Sequence, residues 1–545
     1  MILLSDGRVM VQEEATAHWH ALTPDGHGSY VRGTWSALAD MSFYRRYYAS
    51  GVLKDGRVVV IGGEQSGDVP DTNKGQIYDP VADSWSPMAS PPGWATVGDA
   101  TCCILPNGDL MIGALSTTDC AIYDPVTNSW SPAANKAIRS NEETWVLLPD
   151  DTILTAQCFP NYRSERYSIS SNSWKDEGAI PVSIIDHLMS EVGPAMLLYN
   201  GKVIYFGAAD VAGHGKTAIY TPPAVYTGTG TWAAGPNIPK IGGHTIVCND
   251  CPASLLPNGK VLVAGAPFLI NDWGSPVYFL EYDPFTDTLD QVPSPPNNAA
   301  QLYWSRFMLL PTGQVIFSPS SSNVQCYTPD GGPQDVWRPV ISSVTRHGTS
   351  PTTSHFLLTG QQLTGLSQAN MYGDDCNAAT NYPLVRLRNI LTGQVLFART
   401  FDFSTRGVAT GTLPQSVRFD AAHVPYGHYE LCVIANGISS RCISFGHHHP
   451  QRPCHCEECR PNGCGCCREA QKDCGCCEGE TVLEPEIIEL REEIRGLSRA
   501  VHRLSSLEEV EEPHRERKEV GHKEKGAEKR KAHDDRDDHE KSRQR

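Results

Sequence analysis

Tyr47, Asp99, Glu142, Asp250 and Trp304 share one property. Each precedes the turn residue of a repeated phrase by the same interval, to Gly56, Gly108, Asp151, Gly259 and Gly313 respectively. Val192 stands at that interval ahead of Gly201, with Glu191 beside it, and Tyr303 adjoins Trp304. Matching positions of a repeat end at matching places in a fold, so these acids and aromatics are expected to converge at one mouth. Carboxylates beside an aromatic platform suit a cation, an amine or a sugar. They equally suit a structural task, capping backbone amides where repeats join, because buried polar groups are usually paired within the protein.

A second concentration of chemistry lies near the C-terminus. Nine of the 19 cysteines fall between Cys454 and Cys477. Cys454, His455, Cys456 and Cys459 are followed by Cys464, Cys466 and Cys467, then by Cys474, Cys476 and Cys477. Thiolates at such steps, with an imidazole among them, wrap Zn(II) or Cu(I) without a preformed fold. Disulfides within the chain or between chains are the competing use, favoured outside a reducing compartment. The other cysteines are scattered and read as small apolar core residues. Cys248 and Cys251 suit a plain structural role, a small disulfide or a metal half-site.

The elements that must position these residues are legible as repeats. Leu3-Leu4-Ser5-Asp6-Gly7-Arg8-Val9 returns as Leu53-Lys54-Asp55-Gly56-Arg57-Val58, then around Asn107-Gly108, Asp150-Asp151, Asn200-Gly201, Asn258-Gly259 and Thr312-Gly313. An Asp-Gly or Asn-Gly pair between apolar runs is a hairpin signal. A second phrase alternates with it: Tyr78-Asp79-Pro80 before Trp85, Tyr123-Asp124-Pro125 before Trp130, and Tyr282-Asp283-Pro284. Trp35, Trp174, Trp232 and Trp337 read as weaker copies of its tryptophan. Seven such units over residues 1–340 predict a seven-bladed Kelch-type β-propeller. The first unit looks short of the strand that should precede Met1, and the end of the seventh unit is the expected donor of that strand.

Residues 341–446 alternate in short strands such as Leu384-Val385-Arg386-Leu387, as in an immunoglobulin-like β-sandwich. Residues 447–481 form the Cys/His-rich segment, without hydrophobic periodicity. In residues 482–508, Ile487, Leu490, Ile494, Leu497, Val501 and Leu504 trace a heptad seam, expected to pair two copies as a coiled coil and make a homodimer. A single amphipathic helix docked on its own protein is the alternative. Residues 509–545 are nearly all charged and are expected to be disordered.

Composition narrows the function. The 545 residues include 48 Gly and 39 Pro, as turn-rich β domains require. A formal net charge of −17 argues against nucleic-acid binding. No run of about 18 apolar residues exists, so no membrane span is expected. Met1-Ile2-Leu3-Leu4 lacks the basic flank of a signal peptide, which makes a cytoplasmic location the default, or an extracellular one if the N-terminus is incomplete.

Seven Kelch-like units followed by a sandwich resemble the copper-radical oxidases, galactose oxidase and glyoxal oxidase. Tyr372-Gly373-Asp374-Asp375 and Ala378-Ala379-Thr380-Asn381-Tyr382-Pro383 resemble their C-terminal domain. The resemblance implies a copper held by two tyrosines and two histidines, one tyrosine being crosslinked to a cysteine. Met41-Ser42-Phe43-Tyr44-Arg45-Arg46-Tyr47 resembles the crosslinked segment and puts Tyr47 in that place, with Gln65 where galactose oxidase stacks a tryptophan. The family's second tyrosine and first histidine correspond to Tyr303 and Trp304, and its second histidine falls in Thr410-Gly411-Thr412. The cysteine partner would lie ahead of Met1. Indole and glycine cannot replace imidazole as copper ligands, so no copper is expected in the propeller. The expected function is a non-enzymatic binding or scaffold protein, with a protein or carbohydrate ligand at the propeller loops. The alternative is a copper-radical-type alcohol or aldehyde oxidase, making peroxide at a rebuilt metal site.

Overall fold

The computed structural model describes residues 1–448 apart from 67–68, 160–161, 187–189, 210–214, 226, 270–271, 320, 348–353 and 373–377. The cysteines of the Cys/His-rich segment, the heptad seam and the charged tail lie outside the described residues. The described chain is almost wholly β, with two 3-10 turns, Leu302–Trp304 and Asp335–Trp337. Among the described residues no helix is long and apolar enough to cross a membrane.

Seven antiparallel sheets follow one another along residues 2–327 and form the blades of a propeller. Their innermost strands begin with Ile2–Leu3, Ala49–Val52, Cys102–Ile104, Trp145–Leu147, Ala195–Leu197, Ala253–Leu255 and Arg306–Leu309. Each innermost strand enters the repeated turn, which closes identically every time. Leu4 N–H donates to Arg8 O at 2.8 Å, and the same bond joins Leu53 to Arg57, Leu105 to Asp109 and Leu256 to Lys260 at 2.8 Å. The turn needs a left-handed residue, supplied by Gly7 (φ 81°) and Gly108 (φ 97°). In the fourth blade Asp151 takes φ 60° instead, which a short polar side chain tolerates better than most.

The tyrosine–tryptophan phrase staples the second, third and fourth blades each to the one before it. Tyr123 packs on Trp130 with ring centroids 5.2 Å apart, and Tyr123 O–H donates to Asn128 at 2.8 Å. Asn128 also accepts from Ala89 N–H at 2.9 Å, while Trp130 Nε1 donates to Ala89 O at 2.7 Å. Asp83 with Trp85 grips Ala39, and Asn172 with Trp174 grips Ala134, in the same way.

The seam between the last and first blades departs from expectation. The first sheet has all four strands from its own sequence, Ile2–Leu3, Val9–Gln12, Trp19–Thr23 and Thr34–Leu38. Ile2 and Leu3 already pair with Met10 and Val9 as its innermost strand, so the seventh unit donates no strand to it. The seventh sheet is the short one, with three strands ending at Gln325–Tyr327. Trp337 is likewise no outer-strand tryptophan. It sits in a 3-10 turn against Tyr199, ring centroids 4.9 Å apart, where Gly259 leaves room for the indole. Trp35, whose counterparts grip the preceding blade, is 44% exposed. The ring closes through apolar packing: Met308, Leu310 and Ile316 of the seventh sheet share a core with Ile2, Leu3 and Met10.

Residues Val340–His447 form an eight-stranded sheet folded on itself, which fits a β-sandwich in part. Val395–Phe401 makes the fold. Its first half pairs with Leu384–Asn389 and its second half with Pro414–Asp420. Phe356, Leu358, Val417 and Phe419 thereby share a core with Val385, Leu387, Leu431 and Phe445. This domain covers the turn side of the propeller. Thr400 N–H donates to Ser5 O at 3.1 Å, Phe403 N–H to Lys54 O at 3.1 Å and Arg406 N–H to Pro106 O at 2.8 Å. Phe397 lies so close to Gly7 that a Cβ there would come within 2.6 Å of its ring.

Two cysteine expectations resolve differently. Cys248 and Cys251 are buried free thiols in the sixth-blade core, Cys251 Sγ donating to Cys248 O at 3.3 Å, so they are not joined in a disulfide. Cys432 and Cys442, among the scattered cysteines read as core residues, are joined by a disulfide across neighbouring strands.

Candidate functional site: an acid-lined propeller mouth

Each innermost strand runs towards its turn, so the residues just ahead of those strands lie at the opposite end of the propeller from the sandwich. Glu142, Glu191 and Asp250 come from the entries to the fourth, fifth and sixth blades. Their carboxylate oxygens all lie within 4.8 Å of one another. Among the described residues this is the one set of three or more His, Cys, Asp or Glu donors so close. Asp99, from the entry to the third blade, is buried near enough to act on Glu142. Glu64 acts on Glu142 as well.

Two features hold the cluster. Glu142 O accepts from Val192 N–H at 3.4 Å, and Asn141 Nδ2 donates to Ser190 O at 2.8 Å, tying two blade entries together. Asp250 and Ser190 adopt left-handed backbones, φ 47° and 61°, as does Tyr47 at 52°. For a bulky tyrosine that is a strained conformation, of the kind that persists only where surrounding structure imposes it.

The electrostatics are those of crowded acids. Burial, then Asp99, Asp250 and Glu64, push the Glu142 carboxyl well above its ordinary range. Burial, then Glu142, Asp250 and Asp186, do the same to Glu191. The two carboxyls share a hydrogen bond, and Glu191 has a further one from Asn249. Glu191 Oε2 is buried with no hydrogen-bond partner among the described residues. Two carboxylates in such contact do not both ionise unless a cation or a proton joins them.

An aromatic wall stands beside the acids. Tyr47 and Tyr303 have ring centroids 6.4 Å apart; Trp273 packs on Tyr303 at 4.8 Å and Trp304 at 5.3 Å. The pKa of Tyr303 is raised, chiefly by burial and in part by Asp250, which places the phenol in the field of the acids. Trp273 Nε1 is a buried donor with no hydrogen-bond partner among the described residues. Tyr47 and Trp304 also line a recess of about 90 Å³ with Arg45, Arg46 and Arg306.

The sandwich sends a strap up the propeller axis. Gln368 Nε2 donates to Ile104 O at 3.1 Å, near the turn end of the third blade. Trp145 N–H reaches Met371 O at 3.5 Å, and Tyr372 bridges Thr144, two residues from Glu142. Gly411 is exposed, with open space around it, and the sandwich approaches the mouth through residues 368–372 instead. The side chain of Gln65 lies outside what is described.

The constant interval thus brings Asp99, Glu142, Glu191 and Asp250 to one place and Tyr47, Tyr303 and Trp304 to its side. Glu64 and Trp273 were missed. Glu64 follows the second strand of its blade, paired with Arg46 across an isolated bridge, and Trp273 comes from a loop. Neither occupies the repeating position. The Gly62-Gly63 pair, both left-handed, was the one available signal that the chain turns inward at Glu64.

The Kelch motif matches residues 45–92. The seven sheets make the described chain a seven-bladed β-propeller, and the motif match falls on its second blade. No curated protein matches it. Among solved structures it is similar to a fungal alcohol oxidase of the AA5 family in complex with copper. The two are 15% identical, with a TM-score of 0.44, over 82% of this chain and 97% of that one.

Proposed function

We propose that this protein is a non-enzymatic binding module that takes a hard divalent cation between Glu142, Glu191 and Asp250. Tyr47, Tyr303, Trp273 and Trp304 offer an apolar, hydrogen-bonding wall to a polyhydroxylated ligand such as a carbohydrate. One observation carries this. The buried glutamates Glu143 and Glu177 each face a basic side chain, whereas the charged groups acting on Glu142 and Glu191 are other acids. Oxygen donors alone suit Ca²⁺, Mg²⁺ or Mn²⁺.

Copper fits this mouth poorly. A redox copper site wants imidazole or thiolate donors. Trp304 stands beside Tyr303 where an imidazole would be needed, and the donors that converge are carboxylates. No oxidative step follows from these residues.

The finer expectations complete the proposal. The folded sheet of Val340–His447 serves as an immunoglobulin-like buttress. The Cys/His-rich segment binds Zn(II) or Cu(I) or crosslinks chains, and the heptad seam pairs two copies. The Cys432–Cys442 disulfide favours oxidising surroundings.

The test is metal analysis of the full chain, followed by calorimetric titration with Ca²⁺ and Mn²⁺ at neutral pH. One equivalent should bind the native protein and none the E142Q/E191Q variant. Binding unaffected by those substitutions would remove the site. Copper at stoichiometry, with peroxide formed from an alcohol, would restore the oxidase.

A further inference from the structure

We infer a second metal site, on the sandwich and independent of the propeller mouth: His428 and His448 form a two-imidazole chelate for a borderline transition metal, Zn(II), Ni(II) or Cu(II). The strand Gly427–Ala435 pairs antiparallel with Ile443–His447, with His428 directly opposite Gly446. Side chains alternate along a strand, so His448, two residues beyond Gly446, lies on the face that His428 occupies. The two are diagonal neighbours, a spacing that long or aromatic side chains bridge. Their ring centroids are 4.9 Å apart and their planes cross at 70°.

Glycine at position 446 makes this approach available. A Cβ there would lie 2.3 Å from His448 Nε2 and 3.0 Å from its Cδ2. The His448 ring therefore lies back across its own strand, over the residue that faces His428. Both histidines are exposed. Their backbones are anchored: Arg346 donates to His448 O at 3.0 Å, and Ile390 N–H to His428 O at 3.1 Å. Glu430, next along the same face, is occupied by Arg388 at 3.0 Å. His447 has the opposite fate, buried beside Tyr426 and Phe445 with Nδ1 against Pro425 O. Of two successive histidines, one belongs to the core and the other to the site.

Two imidazoles on one sheet supply nitrogen donors and leave the remaining coordination positions to water, as in an open site. The preference is for metals that imidazole suits, unlike the all-oxygen mouth of the propeller. The donors are also distinct in kind from the thiolates that begin at Cys454.

Titration of Ni²⁺ into the full-length protein tests this, after its accessible thiols have been blocked with N-ethylmaleimide. A nitrogen-ligated equivalent should remain. H428A and H448A should each weaken it by about tenfold or more, because one chelating donor of two is lost. G446A should weaken it too without removing any donor, and H355A, at a half-buried histidine on the strand His355–Gln361, should leave it unchanged. Circular dichroism reports whether each variant is folded; should G446A misfold, the two histidine variants decide. Wild-type affinity in either H428A or H448A overturns the site, and so does an equal loss in H355A.

Discussion

Glu142 and Glu143 are adjacent in sequence and live in different electrostatic worlds. Glu143 turns into the blade junction, where Lys136 Nζ donates to it and Trp145 Nε1 adds a bond at 2.9 Å. Both members of that ion pair are fully buried. Burial pulls the Lys136 ammonium down, but Glu143, Glu165 and Cys120 together more than offset it and leave its pKa raised. Glu142, one residue earlier, turns to the axis and meets other acids. Successive side chains of an extended chain point to opposite faces, so a single step along the backbone separates a compensated charge from an uncompensated one. Where the protein needs a carboxylate for its own architecture it supplies the cation. At the mouth the described residues supply none to Glu142 or Glu191, and that is where an external cation belongs.

Breaking the compensated pair should have the largest effect. Lys136→Met leaves Glu143 buried without its cation, and denaturant unfolding should show a loss of about 3–5 kcal/mol. A loss well under that would mean water or a neighbour takes over from the lysine, and the contrast would fail. Next in size is the cation itself. Mn²⁺ or Ca²⁺ at a hundredfold excess over its dissociation constant should stabilise the native protein by about 2.7 kcal/mol and raise its melting temperature. The same addition should do little for E142Q/E191Q.

The smallest effect is the most diagnostic. In chelator at neutral pH, Glu191→Gln should stabilise the protein by on the order of 1 kcal/mol, the worth of one unit of carboxyl pKa. The sign follows from linkage. The Glu142 and Glu191 carboxyls titrate above the ordinary value of 4.5 in the folded state, so the folded protein holds protons that the unfolded chain has released. Their contribution is complete below that value and is lost as pH rises through the folded pKa values. Native protein in chelator should therefore lose stability on going from pH 5 towards 8, and the variant less so. Identical slopes for the two would show that the acids are not in contact in solution.

Much of this was legible in the chain. The Asp-Gly turns and the tyrosine–tryptophan phrase fixed the blades because each repeats one local solution, a left-handed turn and an aromatic staple. The constant interval located three acids of the mouth, and the neighbour of a fourth, for the same reason. What the repeats cannot report is chemistry brought in from outside the period. Glu64 and Trp273 come from blade-specific insertions. Met371 and Tyr372 arrive from another domain, more than 200 residues away from the blades they touch. The seam lies elsewhere than the repeats suggest, because a two-residue strand, Ile2 and Leu3 paired with Met10 and Val9, is too short to read as a strand in sequence yet completes the first sheet. Cys432 and Cys442 were invisible as a pair until the register set them opposite each other, at the strand's switch from one partner to the next.

The strap has a mechanical corollary. Asn436, whose side chain holds Leu366, Ser367 and Thr380, roots it in the sandwich, and its far end is knitted to Thr144 and Trp145 deep inside the ring. Excising residues 341–446 would strip the blades of their own interior lining and bare the apolar surface around Met371 and Tyr372. The two regions should accordingly denature as one cooperative body, and a protease that nicks between them should release neither half.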